Sequence, residues 1–209
     1  MELFIDRIPS PIGTVLIVSD GTALNGLDFG DHEDRMMRLM RLHYGACTLK
    51  PMRNPAGLRD RIEAYFARDF AALDDIIVQT GGTPFQKEVW AELRRIPLGA
   101  TTTYGELAAK IGRPKSSRAV GMANGSNPVG IVVPCHRVIG AGGALTGYGG
   151  GIDRKRWLLE HEGAHLRLHS PPAPIAEHLI CNLRQTEELC TFPNPDLSDP
   201  LSKDLTHEQ

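Results

Sequence analysis

Cys135 and His136 stand side by side in the run "IVVPCHRVIG", residues 131–140, and Arg137 follows them. A free thiol has a pKa of about 8.5, so little of it is ionised at neutral pH. A nearby base or cation raises the thiolate fraction, and the thiolate is the nucleophile. Two readings of Cys135 stand at this point. It is a small buried core residue with accidental neighbours, or it is a nucleophile for group transfer. The second reading sets a geometric condition. Adjacent side chains of a regular strand point to opposite faces, so His136 can serve Cys135 only if the chain turns at Pro134-Cys135. A histidine base also needs a partner that fixes its tautomer, commonly a carboxylate. Glu162 is the candidate. "DRKRWLLEHEG", residues 153–163, reads as a helix capped by Asp153 and ended by Gly163, with Glu162 in its last turn. A carboxylate there opposes the helix dipole, which points to a role other than helix stability.

Other elements must position these groups. Residues 3–30 read as short strands, "LFIDRI", "TVLIVS" and "LNGLDF", joined by Pro9–Gly13 and by the hairpin signal Asp20-Gly21. Helical patterns are expected near 33–43 and 56–70, then a strand at "DIIVQ". Thr83 is a good N-cap with Pro84 at the first helical position. Phe85, Val89, Leu93 and Ile96 then repeat at helical spacing, with Trp90 widening the stripe. Thr103 caps a further helix from Tyr104 to about Ile111. After the break Gly112–Lys115, Ser116 or Ser117 starts another that ends near Gly125. Two short helices with a tight glycine-containing turn form a helix-turn-helix pattern. In the second helix Ala119, Gly121, Ala123 and Gly125 are small, and Arg118 stands at its start. Glycine inside a helix costs about 1 kcal/mol relative to alanine, so close approach to something is implied. Tight packing on another helix is one answer. The basic flank Arg113, Lys115 and Arg118 favours a DNA groove.

Composition bounds the class. The chain has 209 residues, 41% hydrophobic and 23% charged, which suits a globular protein. No apolar run is long enough to span a bilayer. The start "MELFIDRIPS" lacks the features of a signal peptide, so the expected location is the cytoplasm, with no membrane partner. Cys47, Cys135, Cys181 and Cys190 are too scattered for a disulfide framework or a zinc pair. Net charge is −2, which conceals −3 over residues 1–84, +5 over 85–165 and −4 over 166–209. A basic middle attracts phosphates. From residue 168 the chain is proline-rich and acidic, as in "FPNPDLSDPLSKD". The expectation there is a largely disordered tail, with a short helix allowed around 176–189.

These pieces together resemble one family. "PCHRV" at 134–138 is similar to the active-site signature of the O6-alkylguanine-DNA alkyltransferases, the methylated-DNA–protein-cysteine methyltransferases. "FQKEVW" at 85–90, "IPLGATTTYGELA" at 96–108, "SRAVGMANGSNP" at 117–128 and "WLLEHEG" at 157–163 resemble it in the same order and spacing. The likeness runs from about Thr83 to His165, and the N-terminal part has the family's layout. The implied fold is α/β (α+β). A small N-terminal sheet-plus-helices domain, ribonuclease-H-like, spans 1–80. A mainly helical C-terminal domain with the helix-turn-helix spans 81–167, and the tail spans 168–209.

The resemblance implies a reaction and a set of roles. The protein would bind duplex DNA carrying O6-alkylguanine through the minor groove, as a monomer, and rotate the damaged base out of the stack. Ser117, Arg118, Ala119 and Ala123, with Tyr104, would face the DNA. Arg118 would fill the space left by the base, and Tyr104 would aid extrusion and bond the guanine ring. Cys135 would take the alkyl group, His136 would remove its proton through a water, and Glu162 would orient His136. Asn127 would brace the turn before the active-site strand. Tyr148, Gly149, Val138 and Gly130 would line the base pocket. Gly130 and Gly149 occupy pocket positions that can hold larger residues in relatives, which bears on the bulk of alkyl group accepted. O4-alkylthymine is a second candidate substrate. The S-alkyl product is a thioether, a very poor leaving group, so each molecule would react once. Arg137 is given a structural or electrostatic part. No cofactor is implied. Some members bind zinc in the N-terminal domain, but Cys47, His32 and His43 are too few here, so no metal is expected. A non-catalytic relative lacks the cysteine. A transcription factor leaves Cys135, His136 and Glu162 unexplained. A cysteine hydrolase would turn over and need no DNA.

Overall fold

The computed structural model describes residues 1–164. The expectations for the tail, and Cys181 and Cys190 with it, lie outside the described residues. Strands β1 (Glu2–Ile8), β2 (Val15–Ser19) and β3 (Leu24–Phe29) form an antiparallel meander. The three expected strands are these three. A fourth, β4 (Thr48–Pro51), pairs parallel with β1, giving the order β3-β2-β1-β4. It was not anticipated, because "TLKP" is mostly exposed and shows no alternation. β2 and β3 are buried along their whole length.

Helix α1 (Glu33–Tyr44) lays Met36, Leu39 and Met40 on the sheet. Helix α2 (Leu58–Phe66) is shorter than the expected 56–70. Ala56 and Arg68 take positive φ at either end and break the helical path. The expected strand "DIIVQ" is only a bridge: Leu24 N donates to Ile77 O and Gln79 N to Leu24 O, at 2.8 and 3.0 Å. Helix α3 (Pro84–Leu93) starts with a capping box. Thr83 Oγ1 accepts from Gln86 N, and the Gln86 side chain accepts from Thr83 N. Thr103 and Glu106 repeat the device at α4 (Tyr104–Lys110). Helix α5 (Ser117–Gly125) packs against both.

Strands β5 (Thr102–Thr103) and β6 (Val138–Ile139) pair in parallel. Helix α6 (Ile152–His161) closes the described chain. Its N-cap is Gly151, and Asp153 lies inside the first turn without capping it, which corrects the expected cap. Glu162 is the C-cap residue.

One apolar cluster joins the sheet to the later helices. It contains Ile8, Ile17, Leu27 and Tyr65 from the first part, and Val89, Leu107, Val120, Val133 and Leu158 from the second. The backbone joins them as well. Leu27 N donates to Pro128 O at 2.8 Å, and Gly130 N returns to Leu27 O at 3.1 Å. The segment that leads into Cys135 is therefore fastened to the edge of the sheet.

Candidate active site

Residues 127–137 are wound too tightly for a strand. Ile131 has φ 68°, a strained value for a β-branched residue. Local bonds over-determine it. Asn127 Nδ2 donates to Val133 O at 2.8 Å, and Asn127 Oδ1 accepts from Val129 N at 3.0 Å. Cys135–Arg137 then form one 3₁₀ turn after Pro134. The chain turns where the Cys135–His136 pairing requires it to.

His136 is fully buried, and its Nε2 lies 2.9 Å from Glu162 Oε1. Burial would raise the Glu162 carboxyl, but His136 and Arg137 outweigh it and hold the group down to about 2. Glu162 is thus ionised and accepts from Nε2–H. That fixes the tautomer, and the lone pair sits on Nδ1. Nδ1 is buried and has no partner among the described residues. Burial pushes His136 below its usual range; Glu162 opposes this, and the charges of Arg137 and Lys155 add to it. Burial also pushes the Cys135 thiol up, against the side chain of Asn127 and the charges of Arg35 and Lys155. The resting pair is a neutral thiol and a neutral imidazole. The expectation that its neighbours ionise Cys135 is corrected for this state: desolvation wins.

Three further residues complete the network. Arg137 donates through Nε to Glu162 Oε2 at 2.7 Å, through Nη2 to Oε1 at 3.0 Å, and through Nη1 to Ile96 O at 2.6 Å. Its electrostatic part is that of a clamp on Glu162. Tyr65 donates to Glu162 Oε1 at 2.9 Å. Lys155 is fully buried and donates to Val138 O at 2.6 Å and Thr146 O at 2.7 Å, tying two ends of one loop. Burial pulls its ammonium down to about 8, and Cys135 partly offsets this. Sequence reasoning missed Tyr65 and Lys155. Tyr65 shares the apolar stripe of Leu58 and Ile62, which reads as core. Lys155 had a signal: it lies on the buried face of α6 with Leu158 and Leu159.

Cys135 borders a cavity of about 20 Å³, room for about one water molecule. Asp28, Phe29, Arg35, Asn124 and Tyr148–Gly150 close it. Of the expected pocket residues, Tyr148 and Gly149 line it. Gly130 lies beside it, with the Tyr148 hydroxyl 3.7 Å from where a Cβ would stand. Val138 is fully buried beneath and does not line it. A Cβ on Gly149 would come within 2.6 Å of the Arg35 guanidinium, and one on Gly150 within 2.4 Å of the Phe29 ring. Glycines here let Arg35 and Phe29 pack against the loop that borders Cys135.

The outer face of α5 carries Ser117, Arg118 and Ala119, all exposed, and Met122, 74% exposed. Ala123 departs from expectation. It is buried, and its carbonyl accepts from Trp90 Nε1 at 2.9 Å, so it faces the core. The glycines do not serve internal packing. A Cβ on Gly125 would meet nothing within 4 Å, and one on Gly121 would rest on the Tyr104 ring at an ordinary 3.7 Å. Among the described residues no group of three or more His, Cys, Asp or Glu could hold a metal, and no helix is long and apolar enough to cross a membrane.

Residues 84–164 match the family model of the 6-O-methylguanine DNA methyltransferase, DNA binding domain. The methylated-DNA–protein-cysteine methyltransferase of Salmonella typhimurium is 48% identical over 166 residues, covering 78% of this chain and 97% of that one. The chain belongs to this family. A crystal structure of Mycobacterium tuberculosis O6-methylguanine methyltransferase superposes with TM-score 0.64 at 39% identity, covering 85% of this chain and 99% of the other. That of Mycobacterium tuberculosis OGT in complex with DNA also gives 0.64, at 41% identity over 78% and 93% of the two chains. The family match begins at α3, yet residues before it contribute Asp28, Phe29, Arg35 and Tyr65 to the site.

Proposed function

We propose that this protein repairs duplex DNA by moving the alkyl group of O6-alkylguanine onto Cys135, once per molecule. The carrying observation is a buried thiol on a turn beside a histidine that an ionised carboxylate holds in one tautomer. Nδ1 of His136 has the free lone pair that a base needs. As the sulfur attacks the alkyl carbon, the carbon–O6 bond breaks and its electron pair passes into the guanine ring. The thiol proton passes to His136 through a water. The departing base takes up a proton from solvent under the phenolic hydrogen bond of Tyr104 and is left as neutral guanine, and His136 returns its proton to solvent. Burial holds that phenol protonated. Neutral thiol, neutral imidazole and neutral product avoid a lasting buried charge.

Outside the site, α5 supplies the DNA surface. The exposed stretch Ser117–Ala119 and the uncrowded Gly125 suit close approach to a groove. Arg118 enters the stack in place of the extruded base, a step that costs a few kcal/mol. The cavity is too small for a purine in this state. Entry of the base therefore requires the loop Gly147–Gly150 to move off Phe29 and Arg35. The domain division 1–80 and 81–167, the monomeric state, and action on O4-alkylthymine belong to the same reading.

The test is intact-protein mass spectrometry after incubation with a duplex carrying labelled O6-methylguanine. One methyl should appear, mapped to Cys135. Cys135→Ala should abolish transfer and leave DNA binding nearly unchanged. A methyl mapped to Cys47, Cys181 or Cys190 would overturn the assignment.

A further inference from the structure

Glu162 Oε1 accepts from three side chains at once. His136 Nε2 is at 2.9 Å, Arg137 Nη2 at 3.0 Å and Tyr65 Oη at 2.9 Å. Two of the three donors are neighbours of Cys135 in sequence. Tyr65 is not: it lies in the last turn of α2, 97 residues before Glu162. Its side chain is fully buried. The ring is held edge-on by Phe66, Phe70 and His161, with centroids 5.3, 5.7 and 5.2 Å away. Its backbone carbonyl pairs with His161 Nε2 at 2.9 Å. The position of the hydroxyl is therefore set by packing, whether or not Glu162 is there to receive it. A buried phenol without a partner is costly, and among the described residues Glu162 is its hydrogen-bond partner.

We propose that Tyr65 is a positioning residue for alkyl transfer: its hydroxyl fixes Glu162 against His136 and takes a share of the negative charge on Oε1. This rests on the reading of Cys135 and His136 given above. It assigns to the N-terminal half a part in the reaction as well as in the fold. The charge argument has a direction. Each extra donor makes Oε1 a weaker acceptor for His136 and so stabilises the imidazolium less. Arg137 and Lys155 also face His136 as cations, while Cys135 and Tyr148 adjoin it as neutral groups. Tyr65 and Arg137 together keep Glu162 from holding His136 permanently protonated, which would remove the base.

Tyr65→Phe deletes only the oxygen and keeps the aromatic packing. Transfer from the free base O6-benzylguanine should slow about tenfold at neutral pH, a loss typical of one hydrogen bond to a charged group. The pH midpoint of that rate, and of the His136 ring in an NMR titration, should move up. Replacing Tyr65 with 3-fluorotyrosine, a stronger donor of nearly the same shape, should move both midpoints down. In a Glu162→Gln background, Tyr65→Phe should change the rate by less than about twofold, because the two residues act as one unit. A purely structural tyrosine would lower the melting temperature and leave the midpoints in place. Unmoved midpoints in both variants, or additive losses with Glu162→Gln, overturn the proposal. If Cys135→Ala still transfers alkyl groups, the underlying reading is at fault instead.

Discussion

Helix α5 and the Glu162 network are built on opposite rules. On the outer face of α5, Arg118 and Met122 extend into solvent, and a side chain could be added at Gly125 without touching the protein. Around Glu162 both carboxylate oxygens accept, Oε1 from Tyr65, His136 and Arg137 and Oε2 from Arg137, so the donors come from α2 and from the Cys135–Arg137 turn. The first region is unfinished without a partner. The second is complete without one. A protein that must recognise a surface and then perform chemistry in a dry site needs both, and α5 adjoins the two. Its buried face brings Asn124 to the Cys135 carbonyl at 3.4 Å, while its other face stays open.

Breaking the closed region should cost most. Glu162→Gln leaves Arg137 buried without its counter-charge, and should lower stability by about 3–5 kcal/mol, measured by urea unfolding, and slow transfer to a small but measurable residual rate. Its pH signature follows from the sign of the shift. Glu162 titrates lower when folded than its ordinary value of 4.5, at about 2. It therefore contributes stability above about 4.5 that is lost as pH falls towards 2. The wild-type protein should show that acid loss, and Glu162→Gln should lack that component. Equal acid profiles would mean that the carboxylate is not held as drawn.

The open region should respond in function rather than in stability. Arg118→Ala should leave the melting temperature unchanged. At saturating protein it should slow transfer from duplex DNA by at least about tenfold, since base extrusion costs a few kcal/mol. Transfer from free O6-benzylguanine should not change. A normal saturated duplex rate would make Arg118 only a backbone anchor. Between the two regions stands the cap of α4. Thr103→Ala removes the side-chain half of its capping box and should cost about 1 kcal/mol by thermal unfolding. Because α4 carries Tyr104, duplex transfer should fall with it. The smallest effect separates the two rules most sharply. Gly125→Ala meets nothing inside the protein and should raise stability by up to about 1 kcal/mol, while weakening duplex binding. Unchanged binding would show that close approach at Gly125 is not needed.

Local signals were legible in the sequence. Thr83 and Thr103 announced their helices, Asp20-Gly21 its hairpin, and Pro134 the turn that lets His136 leave the strand direction. The Cys135–His136–Glu162 constellation could be proposed from residue types and from the family likeness. Groups whose meaning lies in distant partners were not legible. Tyr65 looks like core because it is core, and only the fold shows where its hydroxyl ends. Lys155 was hidden in a charged helix, although its apolar neighbours marked its face. Ala123 was misread as a surface residue because small size fits both a groove and a helix contact. Helix α6 starts at a glycine with φ 92° and not at Asp153, because the chain enters it from the glycine loop.

The narrow space around Cys135 also bears on storage. Oxidation is the ordinary fate of an exposed thiolate. Here the sulfur is a neutral thiol beside a space of about 20 Å³, roofed by Tyr148 and two glycines that rest on Phe29 and Arg35. A thiol such as glutathione cannot bring its sulfur into that space, whereas Cys47 is half-buried at the edge of an open hollow of about 420 Å³. The loop Gly147–Gly150 is thus a seal over the sulfur in this state, and under the proposed single use that seal would preserve the reagent until it is needed.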